Sequence, residues 1–90
     1  MKCTADLVVL NRQGIHLKSA SQIVKTANRY HARISIGLGD LVVDAKNVME
    51  ILQLAAGPMA RIRLEAEGKD AREAVAAITG LFQRRFGESE

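Results

Sequence analysis

The sequence predicts an α+β fold, an open-faced β-sandwich in the order β-α-β-β-α-β-α, with a four-stranded, mainly antiparallel sheet covered on one face by three helices. Three observations carry that expectation. Four short segments alternate apolar and polar residues, so each strand buries one face and leaves the other wet. The stretches between and after them switch to a helical period. The chain has 90 residues, enough for one sheet under one layer of helices and too few for a deep cleft with a separate substrate domain. Residues 1–90 therefore form one expected domain.

The first strand spans 3–10, with Cys3, Ala5, Leu7 and Val9 on one face. Asn11-Arg12-Gln13-Gly14 is a polar turn. A helix follows over 17–29, with Ala20, Ile23, Val24 and Ala27 on its apolar stripe. Period two returns over 31–38 through Ala32, Ile34, Ile36 and Leu38, and a turn at Gly37–Asp40 leads into a strand over 41–45. Asn47 has the chemistry of an N-cap for a short helix reaching Leu54, which Gly57-Pro58 would end. The last strand covers 60–67, with Ile62, Leu64 and Ala66 inward and Arg61, Arg63, Glu65 and Glu67 outward, and Gly68 breaks it. Asp70 with Glu73 three residues on fits a capping box. It opens a helix whose stripe is Ala74, Val75, Ile78, Leu81 and Phe82. Arg84 and Arg85 suit that helix's negative end, and Glu88–Glu90 is expected to be a frayed tail.

Composition narrows the function classes. Hydrophobic residues at 48% exclude disorder, and no apolar run approaches the ~20 residues of a membrane span. No secretory h-region follows Met1, and the lone Cys3 offers no disulfide framework, so a cytoplasmic protein is expected. The net charge of +3 suits an acidic protein partner or a phosphate. Nucleic acid is not an expected partner, because the candidate base-stacking strand, Leu41 to Ala45, carries no aromatic residue. Cys3, His16 and His31 are not at metal-ligand spacing, so no metal is expected. No cofactor is expected either: the sequence offers no glycine-rich phosphate loop, and no nucleophile–base pair for an independent enzyme.

His16 is the residue with chemistry to offer. An imidazole with an ordinary pKa near 6.5 is largely neutral and nucleophilic at pH 7. It lies just before a helix, whose first N–H groups and positive dipole end would accept a phosphoryl group. Lys18 adds a cation there, and Ser19 adds a hydroxyl. On pattern alone, a lone histidine in a loop before a helix is more often a solvated or capping residue.

Gly14-Ile15-His16 with a basic residue at Lys18 resembles the Gly-Leu-His-Ala-Arg-Pro motif of the HPr family. Val43-Asp44-Ala45-Lys46-Asn47-Val48-Met49 is similar to that family's approach to its second helix, and Leu64-Glu65-Ala66-Glu67-Gly68 to its last strand. The Leu81-to-Phe86 ending with an acidic tail is similar to the nitrogen-related NPr branch. The resemblance implies a phosphocarrier of the phosphotransferase system. His16 would accept a phosphoryl group on Nδ1 from enzyme I and pass it to an enzyme IIA-type domain, as a protein substrate, with Lys18 at the phosphate-contacting position. A carrier that visits two partners implies a monomer.

Three departures matter. Lys18 replaces an arginine and loses its bidentate fork. Ser19 replaces a proline and offers a possible phosphate contact. Asn47 stands where a regulatory serine occurs in part of the family, which implies no control by an HPr kinase. These departures leave one alternative, an HPr-like regulatory interaction domain with weak or no phosphotransfer. The resemblance also implies a docking face of Val48, Met49, Ala55 and Ala56, rimmed by Arg12, Lys18, Lys25 and Lys46. The helical stripe of Ile51, Leu52 and Leu54 makes a core position an equal reading for Val48.

Overall fold

The computed structural model describes residues 1–90. Its elements are β1 (Lys2–Val8), α1 (Leu17–Ala27), β2 (Arg33–Leu38), β3 (Leu41–Asp44), α2 (Val48–Gln53), β4 (Arg61–Glu67) and α3 (Ala71–Gln83), followed by a single turn over Arg85–Gly87. The strands form one sheet in the order β1-β4-β2-β3, and every pairing is antiparallel.

Register follows from the period-two pattern, because a one-residue slip would turn every apolar side chain to water. Cys3, Ala5 and Leu7 oppose Ala66, Leu64 and Ile62 of β4. Ala66 and Leu64 in turn oppose Ile34 and Ile36 of β2, and Ile36 opposes Val43 of β3. This face meets Ala20, Ile23 and Ala27 of α1, Ile51 of α2, and Ala71, Ala74, Ile78 and Phe82 of α3 in one core. The other face is uncovered. Across it Lys2 reaches Glu65 at 3.5 Å and Arg63 reaches Asp6 at 3.9 Å. Exposed pairs of this kind add little stability, but they keep a sheet face wet.

Several expected boundaries move, each for a local reason. The second strand begins at Arg33 rather than 31, because the N–H groups of His31 and Ala32 both donate to the Asp70 carboxylate at 2.8 Å. The same bonds overturn the capping box expected at Asp70, which makes no side-chain cap bond to α3. The first helix ends at Ala27, with Asn28 as its C-cap. The second helix ends at Leu54, its C-cap, as expected, but the left-handed Ala55 at φ 49° stops it ahead of Gly57-Pro58. Asn47 does cap α2, its Oδ1 accepting from Glu50 N at 3.1 Å.

The largest correction is at the end of the chain. Glu88–Glu90 is not frayed. Arg85, Phe86 and Gly87 all take positive φ, at 53°, 55° and 80°. This hook turns the chain back over α1. Phe86 is buried with its ring 4.9 Å from Phe82 in an edge-on arrangement, and Gln22 Nε2 donates to the Phe86 carbonyl at 3.1 Å. Two non-glycine residues in the left-handed region cost about 1–2 kcal/mol each. Burying a phenylalanine side chain contributes about 1.5–3 kcal/mol, and the edge-on ring pair adds about 0.5–1.5 kcal/mol, so the hook is held.

Candidate functional site

The site is assembled where the loop after β1, the start of α1 and the returning tail meet. Gly14 shapes the loop. Its φ is +72°, and a Cβ there would lie 2.5 Å from the Ala56 carbonyl oxygen. That close approach lets Ile15 N donate to the same carbonyl at 2.8 Å, which fixes the loop to the segment after α2. Asn11, fully buried, braces it from within by donating Nδ2 to the Gly14 carbonyl at 2.7 Å.

His16 is the N-cap residue of α1. Its backbone is extended, at φ −122° and ψ −173°, and its carbonyl accepts the first helical bond from Ala20 N at 2.8 Å. The imidazole takes over the capping role: Nδ1 accepts from Lys18 N at 3.3 Å. Ser19 completes the cap in the other direction, its Oγ accepting from His16 N at 2.9 Å. Nδ1 therefore sits over the positive end of an eleven-residue helix with no acidic residue in its first turn.

The other ring nitrogen meets the tail. Nε2 is 2.8 Å from Glu88 Oε2, while Glu88 Oε1 accepts from Asn11 Nδ2 at 3.0 Å. The side chains of His16 and Glu88 are 30% and 16% exposed, so the pair is shielded yet reachable. Desolvation pushes the Glu88 carboxyl up, but the hydrogen bonds from His16 and Asn11 and the charges of His16 and Lys18 prevail, and its pKa lies below the ordinary value. An ionised carboxylate only accepts, so Nε2 carries the proton and Nδ1 the lone pair. The Lys18 N–H aimed at Nδ1 demands the same tautomer. Glu90 ties the tail down further: Arg12 N donates to its carbonyl at 2.8 Å, and Arg12 Nη1 meets its carboxylate at 3.1 Å.

The other expected site residues are only partly brought together. Lys18 is exposed beside the histidine. Ser19 is fully buried, its hydroxyl engaged with the His16 backbone, so it holds the cap rather than facing an incoming phosphate. Met49 is 71% exposed, whereas Val48 is half-buried against the core. Ala55 is exposed, but Ala56, expected on the same patch, is buried and presents only its carbonyl to the histidine loop. Arg12 stands at the rim, already paired with Glu90. Lys46 leaves the rim altogether. Its Nζ donates to the Tyr30 carbonyl at 2.7 Å, past the C-terminal end of α1, roughly 16 Å of helix away from His16. Lys25 lies in that last turn too.

Two contributors were not expected. Leu17, 63% exposed, is apolar at the first helical position and off the buried stripe; that mismatch was its signal. Glu88 had a fainter one, in Phe86, an aromatic four residues beyond Phe82 that required burial.

A family model described as the PTS HPr component phosphorylation site matches residues 3–84. The chain is 39% identical over 80 residues to the phosphocarrier protein HPr of Treponema pallidum, covering 89% of this chain and 91% of that one. Among solved structures it is similar to HPr-C-His from Thermoanaerobacter tengcongensis, with a TM-score of 0.94, 30% identity and coverage of 98% and 99%. It is also similar to an HPr dimer from that organism, with a TM-score of 0.78, 32% identity and coverage of 89% and 92%.

Proposed function

Since this chain belongs to the HPr family and is a phosphohistidine carrier of the phosphotransferase system, we propose that His16 is the residue that carries the phosphoryl group, on Nδ1. The observation behind this is the placement of Nδ1 at the helix N-terminus, 3.3 Å from Lys18 N. A phosphoryl group there meets the free amides of the first turn and the Lys18 ammonium, which holds it as a point charge. Lys18 takes the phosphate-contacting role, and Ser19 supports it from beneath.

The donor is enzyme I and the acceptor an enzyme IIA-type domain. Each docks on a face that draws on the exposed apolar side chains of Leu17 and Met49, together with half-buried Val48, exposed Ala55 and the cations of Arg12 and Lys18. A flexible methionine suits a face that serves more than one partner. Phosphoryl transfer through a loose transition state needs in-line positioning and charge stabilisation, which the docked pair of proteins supplies, so the carrier is a protein substrate. It works as a monomeric single domain in the cytoplasm. No helix is long and apolar enough to cross a membrane.

The test is intact-mass measurement after incubation with phosphoenolpyruvate, magnesium and enzyme I. One acid-labile phosphoryl group is expected on the wild type and none on His16→Ala. No gain with an active cognate enzyme I would sink the proposal and leave a regulatory interaction domain.

A further inference from the structure

We propose that Glu88 is a positioning residue for phosphoryl transfer: it holds the His16 ring as the Nε2–H tautomer and offsets the charge that the ring gains when Nδ1 is phosphorylated. The inference rests on the reading of His16 as the acceptor.

The transfer step shows why a carboxylate belongs there. The Nδ1 lone pair attacks the phosphorus of the donor's phosphohistidine. A new Nδ1–P bond forms, the donor's N–P bond breaks, and its electron pair returns to the donor imidazole. No proton leaves His16. The Nε2 proton stays, so the neutral ring becomes cationic as the bond forms. A carboxylate oxygen 2.8 Å from Nε2 faces that growing charge, and its stabilisation is larger in the transition state than in the ground state. The opposite tautomer, with the proton on Nδ1, has no lone pair at the reacting atom.

The fold is built to deliver this carboxylate. Three successive positive-φ residues, Arg85 to Gly87, reverse the chain after α3, and such strain persists only where surrounding structure over-determines it. Phe86 burial, the Gln22 bond and the Arg12–Glu90 contacts supply that structure on both sides of Glu88. Asn11 Nδ2 fixes the second carboxylate oxygen and leaves the first for the histidine. The charged groups around the ring are Glu88 from the tail and Lys18 from α1, with the Arg12–Glu90 pair beside them.

The tests are Glu88→Ala and Glu88→Gln in the full chain, each checked for wild-type thermal unfolding. Two quantities are read. Imidazole 15N shifts at about pH 9, where an ordinary histidine is neutral, report the tautomer, with exposed His31 as internal reference. Steady-state phosphorylation by enzyme I, with this protein as the varied substrate, separates kcat from KM. E88A is expected to raise the share of the Nδ1–H tautomer at His16, which only the Lys18 N–H then opposes, and to lose about tenfold in kcat with KM little changed. E88Q, able to accept from Nε2–H but without charge, keeps the wild-type tautomer and still turns over more slowly. Wild-type kcat in E88A overturns the inference, whichever tautomer it shows. A wild type that takes no phosphoryl group instead overturns the reading of His16, and the two failures are thereby distinct.

Discussion

Asp70 commits both carboxylate oxygens to the backbone of another segment, and its titration follows from that. The N–H of His31 contributes most to holding its pKa below the ordinary aspartate value; burial works in the other direction, and the Ala32 N–H and the His31 charge reinforce the lowering. A carboxyl with a depressed folded-state pKa contributes stability that is present above its unfolded pKa, near 4, and is lost as pH falls through the folded value. Asp70→Asn should therefore unfold at a lower temperature than the wild type at pH 7. The gap should close as the pH is taken down toward 2.5. A gap that stays constant across thermal melts at pH 7, 4 and 2.5 would show that the two amide bonds do not depend on ionisation.

At the scale of the element, the start of α1 is shaped from outside as much as by its own sequence. Gly14 requires a positive φ and also admits the Ala56 carbonyl where a Cβ would be. Gly39, at φ +59°, faces open space. Gly39→Ala should cost about 1–2 kcal/mol for conformation alone. Gly14→Ala should cost more than that, because the loop must also leave the Ala56 carbonyl. Urea unfolding of both variants checks the order, and equal losses would mean that the approach to Ala56 does not constrain the loop. The strands were legible in the sequence because Ile34, Ile36, Ile62, Leu64 and Ala66 alternate with polar residues, and that period belongs to strands alone. His16 as the residue opening the first helix was legible from the loop before it and the stripe after it. The tertiary uses of polar side chains were not. Asp70 and Glu73 carry a sound local capping pattern, but a segment 38 residues away in sequence claims the carboxylate. Glu88 lies 72 residues from His16, and no local period reports such a contact. Lys46 and Ala56 were placed at the docking face by motif similarity, which fixes where a residue stands in the chain and not which way it turns.

For the whole molecule, one sheet with a helical layer on one side leaves two edges, β1 and β3, and one uncovered face. The edges are short, at seven and four residues, and the face is charged, with Lys2, Asp6, Arg33, Arg61, Arg63, Glu65 and Glu67 along it. Alternating charge and short edges oppose strand-to-strand association. The protein should elute as a species of 9.8 kDa by size exclusion with light scattering at tens of micromolar. A mass twice that would place a second copy on an edge or on the apolar side chains of Leu17 and Met49. The hooked tail has a practical consequence for anyone handling the protein. Glu90 is tied to Arg12, in the loop that leads to His16, so any peptide joined after it, an affinity tag or a fluorescent fusion, emerges beside that loop. Met1 is bonded to Gly68 at the far end of β1, about 20 Å of strand away. An attachment there leaves both the Glu88 carboxylate and the His16 loop as they are, which makes the amino terminus the place to engineer.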